Sequence, residues 1–132
     1  MTTELTMLAW TLVLALVQVF LPIMGRTKQL GSKWNAGPRD EPTPPPTPVT
    51  GRLERAQKNL YETLPLFIGA VLAAHVAGRE GTLTAIGVQL YFWARVVYVP
   101  LYAFGIPYVR SLAFLVSLAG LLMIFAALFG LA

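Results

Sequence analysis

Apolar residues fall along this chain in four long runs broken by short polar interruptions. That spacing predicts four membrane-crossing helices. Leu5 to Met24 carries no charge and is followed by Gly25, Arg26 and Lys28. About 20 apolar residues suffice to cross a bilayer, so a first span is expected over residues 5–25. Residues 26–51 are polar and hold six prolines between Pro38 and Pro48 (GPRDEPTPPPTP). Proline removes backbone donors and favours extended chain, so this segment reads as a loop and not as helix. A second span is expected over 53–77, with a kink at Pro65, a third over 83–103 and a fourth over 108–131. GREGT and FGIP make the tight turns between them, and the stretch from Ser111 to Ala132 has no charge at all. Spans joined by short turns favour an antiparallel bundle. The predicted fold is therefore all-α, one integral membrane four-helix domain over residues 1–132.

The first and fourth spans read as plain lipid-type helices, with Gly120 permitting close packing in the fourth. The first could be mistaken for a signal peptide. Its apolar run is too long for an h-region, no basic residue precedes it and no A-x-A-like site follows, so it reads as a retained span.

Composition supports this picture. Of 132 residues, 56% are hydrophobic and 12% charged, too apolar for an ordinary soluble domain. With no cysteine, disulfides, thiolate nucleophiles and Cys-ligated metals are excluded. The single histidine, His75, has no Cys or carboxylate cluster around it in sequence; it reads as interfacial, and no metal site is expected. Trp10, Trp34 and Trp93 read as anchors or packing residues. The net charge of +4 could suggest nucleic acid in a soluble protein. Here the basic residues cluster between apolar runs, which indicates topology and no nucleic-acid partner. Seven Lys/Arg (26, 28, 33, 39, 52, 55, 58) lie between spans one and two, and Arg110 flanks the turn after span three. Arg79 alone lies on the opposite side. The positive-inside rule then puts the proline-rich loop in the cytoplasm and both termini on the non-cytoplasmic side.

Two polar sets interrupt the apolar pattern at similar depth. A polar or ionised group in lipid costs several kcal/mol unless it is paired or faces a cavity. At 100° per residue, Arg55, Asn59 and Glu62 lie within about 60° of one another, flanked by Arg52 and Lys58. Tyr91, Arg95, Tyr98 and Tyr102 form a similar stripe on the third span, with Tyr91 expected in an interfacial aromatic belt. Arg110 and Ser111 begin the fourth. Four cations, Arg55, Lys58, Arg95 and Arg110, face one acid, Glu62. A closed ion-pair network would be nearer neutral, because unpaired buried charge is expensive. The surplus predicts a small anionic ligand. Arginine suits a carboxylate through bidentate pairing, while Glu62 could take an ammonium and Asn59 either polarity.

The run GRLERAQKNLYETLPLF followed by RVVYVPLYAFGIPYVRS resembles the MAPEG family (membrane-associated proteins in eicosanoid and glutathione metabolism). NAGPRDEP and FGIPYVRS are similar to its bacterial branch in particular. The resemblance covers most of the chain from Asn35 onward. It implies a homotrimer of four-helix protomers in a bacterial inner membrane, with glutathione as co-substrate held between subunits near the cytoplasmic face. On that pattern Arg55, Asn59 and Glu62 match the glutathione-holding residues of helix two, with Lys58 where some members have arginine. Arg95, Tyr98 and Tyr102 match the helix-three set, Arg110 the arginine beside the thiol, and Ser111 the serine next to it. Tyr98 stands where prostaglandin E synthase has histidine and Phe114 where it has tyrosine, which bears on the second substrate.

The implied activity is a glutathione-dependent transferase or peroxidase acting on a lipophilic small molecule drawn from the membrane lipid. Arg110 would favour the thiolate, and Tyr98 or Tyr102 would support it with a hydroxyl. Two other readings stand beside it. One is a non-catalytic protein of the same fold that binds a lipid or small anion. The other is a small four-helix transporter, which the absence of a carboxylate inside span one (Glu4 precedes it) argues against.

Overall fold

The computed structural model describes residues 1–131, and within them five helices account for all the regular structure. They are α1 (Thr3–Leu30), α2 (Ser32–Ala36), α3 (Pro48–Val76), α4 (Thr82–Ala103) and α5 (Pro107–Leu128). α1, α3, α4 and α5 are each long and apolar enough to cross a membrane. At about 1.5 Å per residue, the 28 residues of α1 reach roughly 42 Å, beyond the ~30 Å hydrocarbon core. Its basic end therefore projects out of the membrane. Ala132, the last residue of the expected charge-free stretch, lies outside the described residues.

The loop expected over 26–51 is shorter than its composition suggested. α1 continues to Leu30 because nothing between Gly25 and Leu30 breaks it; Gly31, at φ +96°, ends it. Ser32–Ala36 forms one further short helix, correcting the reading of this segment as helix-free. α3 begins at Pro48, where a missing N–H is one of the donors that a helix start leaves unused anyway. The prolines before it stay extended, and Arg26 ties them down by donating to Pro44 O (2.9 Å) and Thr43 Oγ1 (2.9 Å). α3 runs unbroken through Pro65.

The turns are built as their glycines predict. After α3, Gly78 takes φ +69° and the Arg79 N–H reaches back to Ala74 O at 2.9 Å. After α4, Gly105 takes φ +70° and the Ile106 N–H reaches Leu101 O at 3.0 Å. Both close a helix end whose last carbonyls would otherwise lack donors. Arg52 of α3 donates to Ala103 O at 3.4 Å, adding a cation where the α4 dipole is negative.

The bundle core lies between α1, α3, α4 and α5 around Phe67, Val71, Val88 and Ile124, all essentially buried. α4 and α5 pack most extensively, and small residues explain how. A Cβ on Gly120 would sit 2.5 Å from Gly87 O, and one on Gly87 would sit 2.7 Å from Gly120 O. Only two glycines let these backbones touch. Tyr91, expected in an interfacial belt, is instead fully buried. Its ring stacks on Phe67 (centroids 4.0 Å, 9° between planes), and its hydroxyl pairs with Thr63 Oγ1 at 2.8 Å. Burial of its polar tip is tolerable because that partner is present.

α1 is not the plain lipid-type helix its sequence suggested. Glu4 lies inside its first turn and is 5% exposed, accepting a hydrogen bond from Thr84 Oγ1 of α4 at 2.8 Å. Thr11 and Gln18 are buried on the same stripe. α1 therefore does carry a carboxylate, contrary to the expectation that Glu4 precedes the span, and it sits at the very end of the bundle. Beside it, Glu80 accepts from Thr2 Oγ1 (2.9 Å) and lies 3.0 Å from His75 Nδ1, the single ion pair among the described residues.

Candidate functional site

The end of the bundle that carries the proline-rich segment gathers most of the predicted polar residues. α3 antiparallel to α4 brings Asn59 opposite Arg95, whose Nη1 donates to Asn59 Oδ1 at 2.8 Å. One turn further along α4, the Tyr98 ring lies over the Arg95 guanidinium, 4.2 Å from Cζ to centroid. Tyr98 and Tyr102 meet edge to face at 5.5 Å. The turn after α4 then returns Arg110 over Tyr102 at 4.5 Å, and Arg55 approaches the same ring from α3 at 5.8 Å. The order of contact is thus Asn59, Arg95, Tyr98, Tyr102, with two guanidinium groups flanking the last ring. Each cation–π contact contributes roughly 0.5–1 kcal/mol where exposed and more where desolvated.

These residues frame a cleft of about 380 Å³ lined by Asn59, Tyr98, Tyr102, Arg110, Ser111, Phe114 and Leu115. Its walls carry a guanidinium, two phenols, an amide and a serine hydroxyl, but no carboxylate. Phe114 and Leu115 make one side apolar. A larger apolar groove of about 770 Å³ runs along α4 and α5, past Ile86, Trp93, Val97 and Val109. No titratable side chain lines it.

The predicted residues divide into three groups. Asn59, Tyr98, Tyr102, Arg110 and Ser111 line the cleft. Arg95 stands behind it, 1% exposed, screened by Tyr98 and joined to the cleft through Asn59. Arg55, Lys58 and Glu62 lie exposed on α3 beside it; Arg55 touches Tyr102, while Lys58 and Glu62 form no ion pair among the described residues. Among the buried polar residues that sequence reasoning missed, Gln18 of α1 is the one whose side chain finds no hydrogen-bond partner. The signal was present, because Gln18 is the one amide in the run Leu5 to Met24.

Chemically, the cleft can take an anionic group. Arg110 offers up to five N–H donors and the two phenols one O–H each, with no competing anion in the wall, while the Ser111 hydroxyl donates to Pro107 O at 3.3 Å. An all-helical, four-span membrane protein with such a basic cleft at one end of its bundle is the class that fold and site define together. The chain belongs to the MAPEG family, whose model matches residues 7–130, nearly its full length. Comparison with curated proteins and with solved structures finds no match.

Proposed function

We propose that this protein is a glutathione-dependent transferase or peroxidase of the membrane, with glutathione as co-substrate. The observation that carries this reading is the cleft itself: Arg110 and Arg55 flank Tyr102 with no carboxylate in the lining. Arg110 and Ser111 act at the sulfur. Asn59 and Tyr98 hold the peptide portion, and Arg95 fixes both from behind. Arg55, Lys58 and Glu62, exposed on α3, meet the charged ends of the tripeptide, the cations its carboxylates and Glu62 its ammonium.

The cleft is lined from α3, α4 and α5, and polar residues of α3 lie exposed beside it. In a homotrimer a neighbouring subunit closes that side, which also covers the exposed polar residues of α3. The basic segment between α1 and α3 lies in the cytoplasm, as the positive-inside rule requires, so that glutathione enters from there while the lipophilic second substrate arrives from the bilayer against Phe114 and Leu115.

The chemistry follows from the positive cleft. A thiol of pKa about 8.5 is roughly 3% ionised at pH 7, and one unit of lowering raises that to about a quarter at a cost of about 1.4 kcal/mol. A guanidinium about 4 Å from sulfur supplies roughly 1 kcal/mol in water and about 4 kcal/mol at a partly screened site, which is enough. In conjugation the thiolate sulfur forms a bond to an electrophilic carbon, and the leaving group departs with its electron pair. In peroxide reduction the sulfur attacks the terminal oxygen and the O–O bond breaks. The alkoxide takes a proton to become the alcohol, and a second glutathione converts the sulfenic acid to disulfide and water.

The test is binding followed by turnover. Purified protein should bind glutathione at millimolar concentration or below, in a salt-sensitive way that Arg55→Ala and Glu62→Ala both weaken. It should then turn over members of a panel of lipophilic electrophiles and hydroperoxides. Absence of binding refutes the glutathione reading. Binding without turnover across the panel identifies a non-catalytic binder of the same fold.

A further inference from the structure

Among the described residues, four buried side-chain atoms lack a hydrogen-bond partner, and they belong to just two residues: Gln18 Nε2 and Oε1, and Arg95 Nε and Nη2. Gln18 is 2% exposed and Arg95 1%. Buried amides and guanidinium groups nearly always find partners, so two such orphans in one small bundle ask for a common explanation.

Their positions supply one. Thr84 of α4 bonds Glu4 of α1 at 2.8 Å, so those two residues mark where the α1 and α4 faces meet. Gln18 follows Glu4 by 14 residues and Arg95 follows Thr84 by 11. At 100° per residue these steps turn each helix back to within about 40° and 20° of its starting face. Both side chains therefore look into the same seam. In depth they lie about 21 Å and 16.5 Å from the shared end, less than one helical turn apart. A second register agrees in depth. Gly25 of α1 packs on Thr50 of α3, and Asn59 of α3 bonds Arg95. Counting seven residues back from Gly25 and nine on from Thr50 brings Gln18 to within about 3 Å of the level of Asn59.

A direct bond does not satisfy both groups. Arginine is donor only, and Gln18 Oε1 could meet one of its N–H groups while Nε2 kept two unused donors. Water accepts from both and donates to Oε1, and buried water typically makes about three such bonds. On the cleft side the Tyr98 ring lies over the guanidinium.

We infer that Gln18 and Arg95 enclose a buried hydration site between α1, α3 and α4, in which ordered water bridges the amide to Arg95 Nε and Nη2. Gln18 is thereby a positioning residue. It holds the guanidinium against Asn59 and Tyr98, both of which line the cleft. The consequence for thiol chemistry rests on the glutathione reading; the hydration site does not.

The experiment uses the ligand-free full-length protein, ¹⁵N-labelled, in deuterated detergent micelles. Water cross-relaxation is expected at the Gln18 side-chain NH₂ and at Arg95 Nε–H. Gln18→Met, close in volume, is expected to lose the Arg95 water signal and to shift the Arg95 Nε–H and Asn59 side-chain resonances. The Thr63–Tyr91 pairing, more than a turn away, should stay as it was. Absence of water contact at either group in the wild-type protein overturns the hydration site. Unmoved Arg95 and Asn59 resonances in Gln18→Met overturn the positioning role. If Gln18→Met fails to fold, the wild-type water contacts still decide the first claim, and Gln18→Asn, which shortens the amide by one methylene, is read for the second in the same way. Because no glutathione is present, these results are independent of whether it binds.

Discussion

Replacing Gly120 with alanine tests the packing that positions α4, and its cost can be worked from geometry. The added Cβ would lie 2.5 Å from Gly87 O, 2.9 Å from the Tyr91 amide nitrogen and 3.0 Å from Leu90 Cβ. Two of these neighbours are backbone and cannot swing aside. Bringing a carbon from 2.5 Å to an ordinary contact near 3.5 Å requires α4 and α5 to separate by most of an ångström. One forced methyl in a close-packed interior costs about 1–3 kcal/mol. Alanine's better helix propensity returns about 1 kcal/mol at most. A matched control exists in Gly69→Ala on α3, where nothing lies within 4 Å of the new Cβ. There propensity acts alone, and a gain of up to about 1 kcal/mol is expected. Reversible unfolding of both variants in mixed micelles measures the difference. Gly120→Ala should be destabilised and Gly69→Ala neutral or slightly stabilised. Equal stabilities would refute the close contact between α4 and α5.

Three other substitutions probe separate parts of the structure. Tyr91→Phe removes the hydroxyl paired with Thr63 while keeping the stack on Phe67, and should cost about 1 kcal/mol in the same unfolding measurement. Thr84→Val takes from the buried Glu4 carboxylate the hydroxyl it accepts from, and should destabilise by about 1–3 kcal/mol, with Thr84→Ser recovering most of the loss. At Glu80, slight desolvation pushes the carboxyl up, but hydrogen bonds from His75 and Thr2 and the charge of His75 outweigh it and hold the group below its ordinary value. A carboxyl lowered on folding contributes stability that is complete above its unfolded pKa of about 4.3 and is lost as pH falls through the lower folded value. Acid titration of unfolding should therefore show a loss below about pH 4.3 that Glu80→Gln removes.

How much of this the sequence disclosed depends on whether a feature is local. The four spans are, because each is dominated by one apolar stretch and separated from the next by glycine, proline or charge. The helical part of residues 26–36 was hidden by the proline-rich composition just beyond it, although the stop at Gly31 is itself a sequence feature. Tyr91 could not be assigned from α4 alone. Belt and core tyrosines look alike until Phe67 and Thr63 of α3 are placed beside them. The stripe Arg95, Tyr98, Tyr102 was legible at helical spacing, but not that Arg95 stands behind Tyr98 instead of in the open cleft. Gln18 carries no signal of a partner in the sequence, since it is one amide in an apolar run; its burial without a hydrogen-bond partner emerges only from the fold.

A small thiol anion held beside Arg110 would be seen directly by its ionisation. The direct measurement is the pH titration of the ultraviolet thiolate absorbance of glutathione bound to the wild-type protein and to Arg110→Ala. Bound thiol should ionise at least one pH unit below free thiol in the wild-type protein, a stabilisation of about 1.4 kcal/mol or more. Most of this shift should disappear in Arg110→Ala while binding persists through Arg55, Asn59 and Glu62. A bound thiol that ionises at the same pH as free glutathione, or an equal shift in both proteins, would contradict the role given to Arg110.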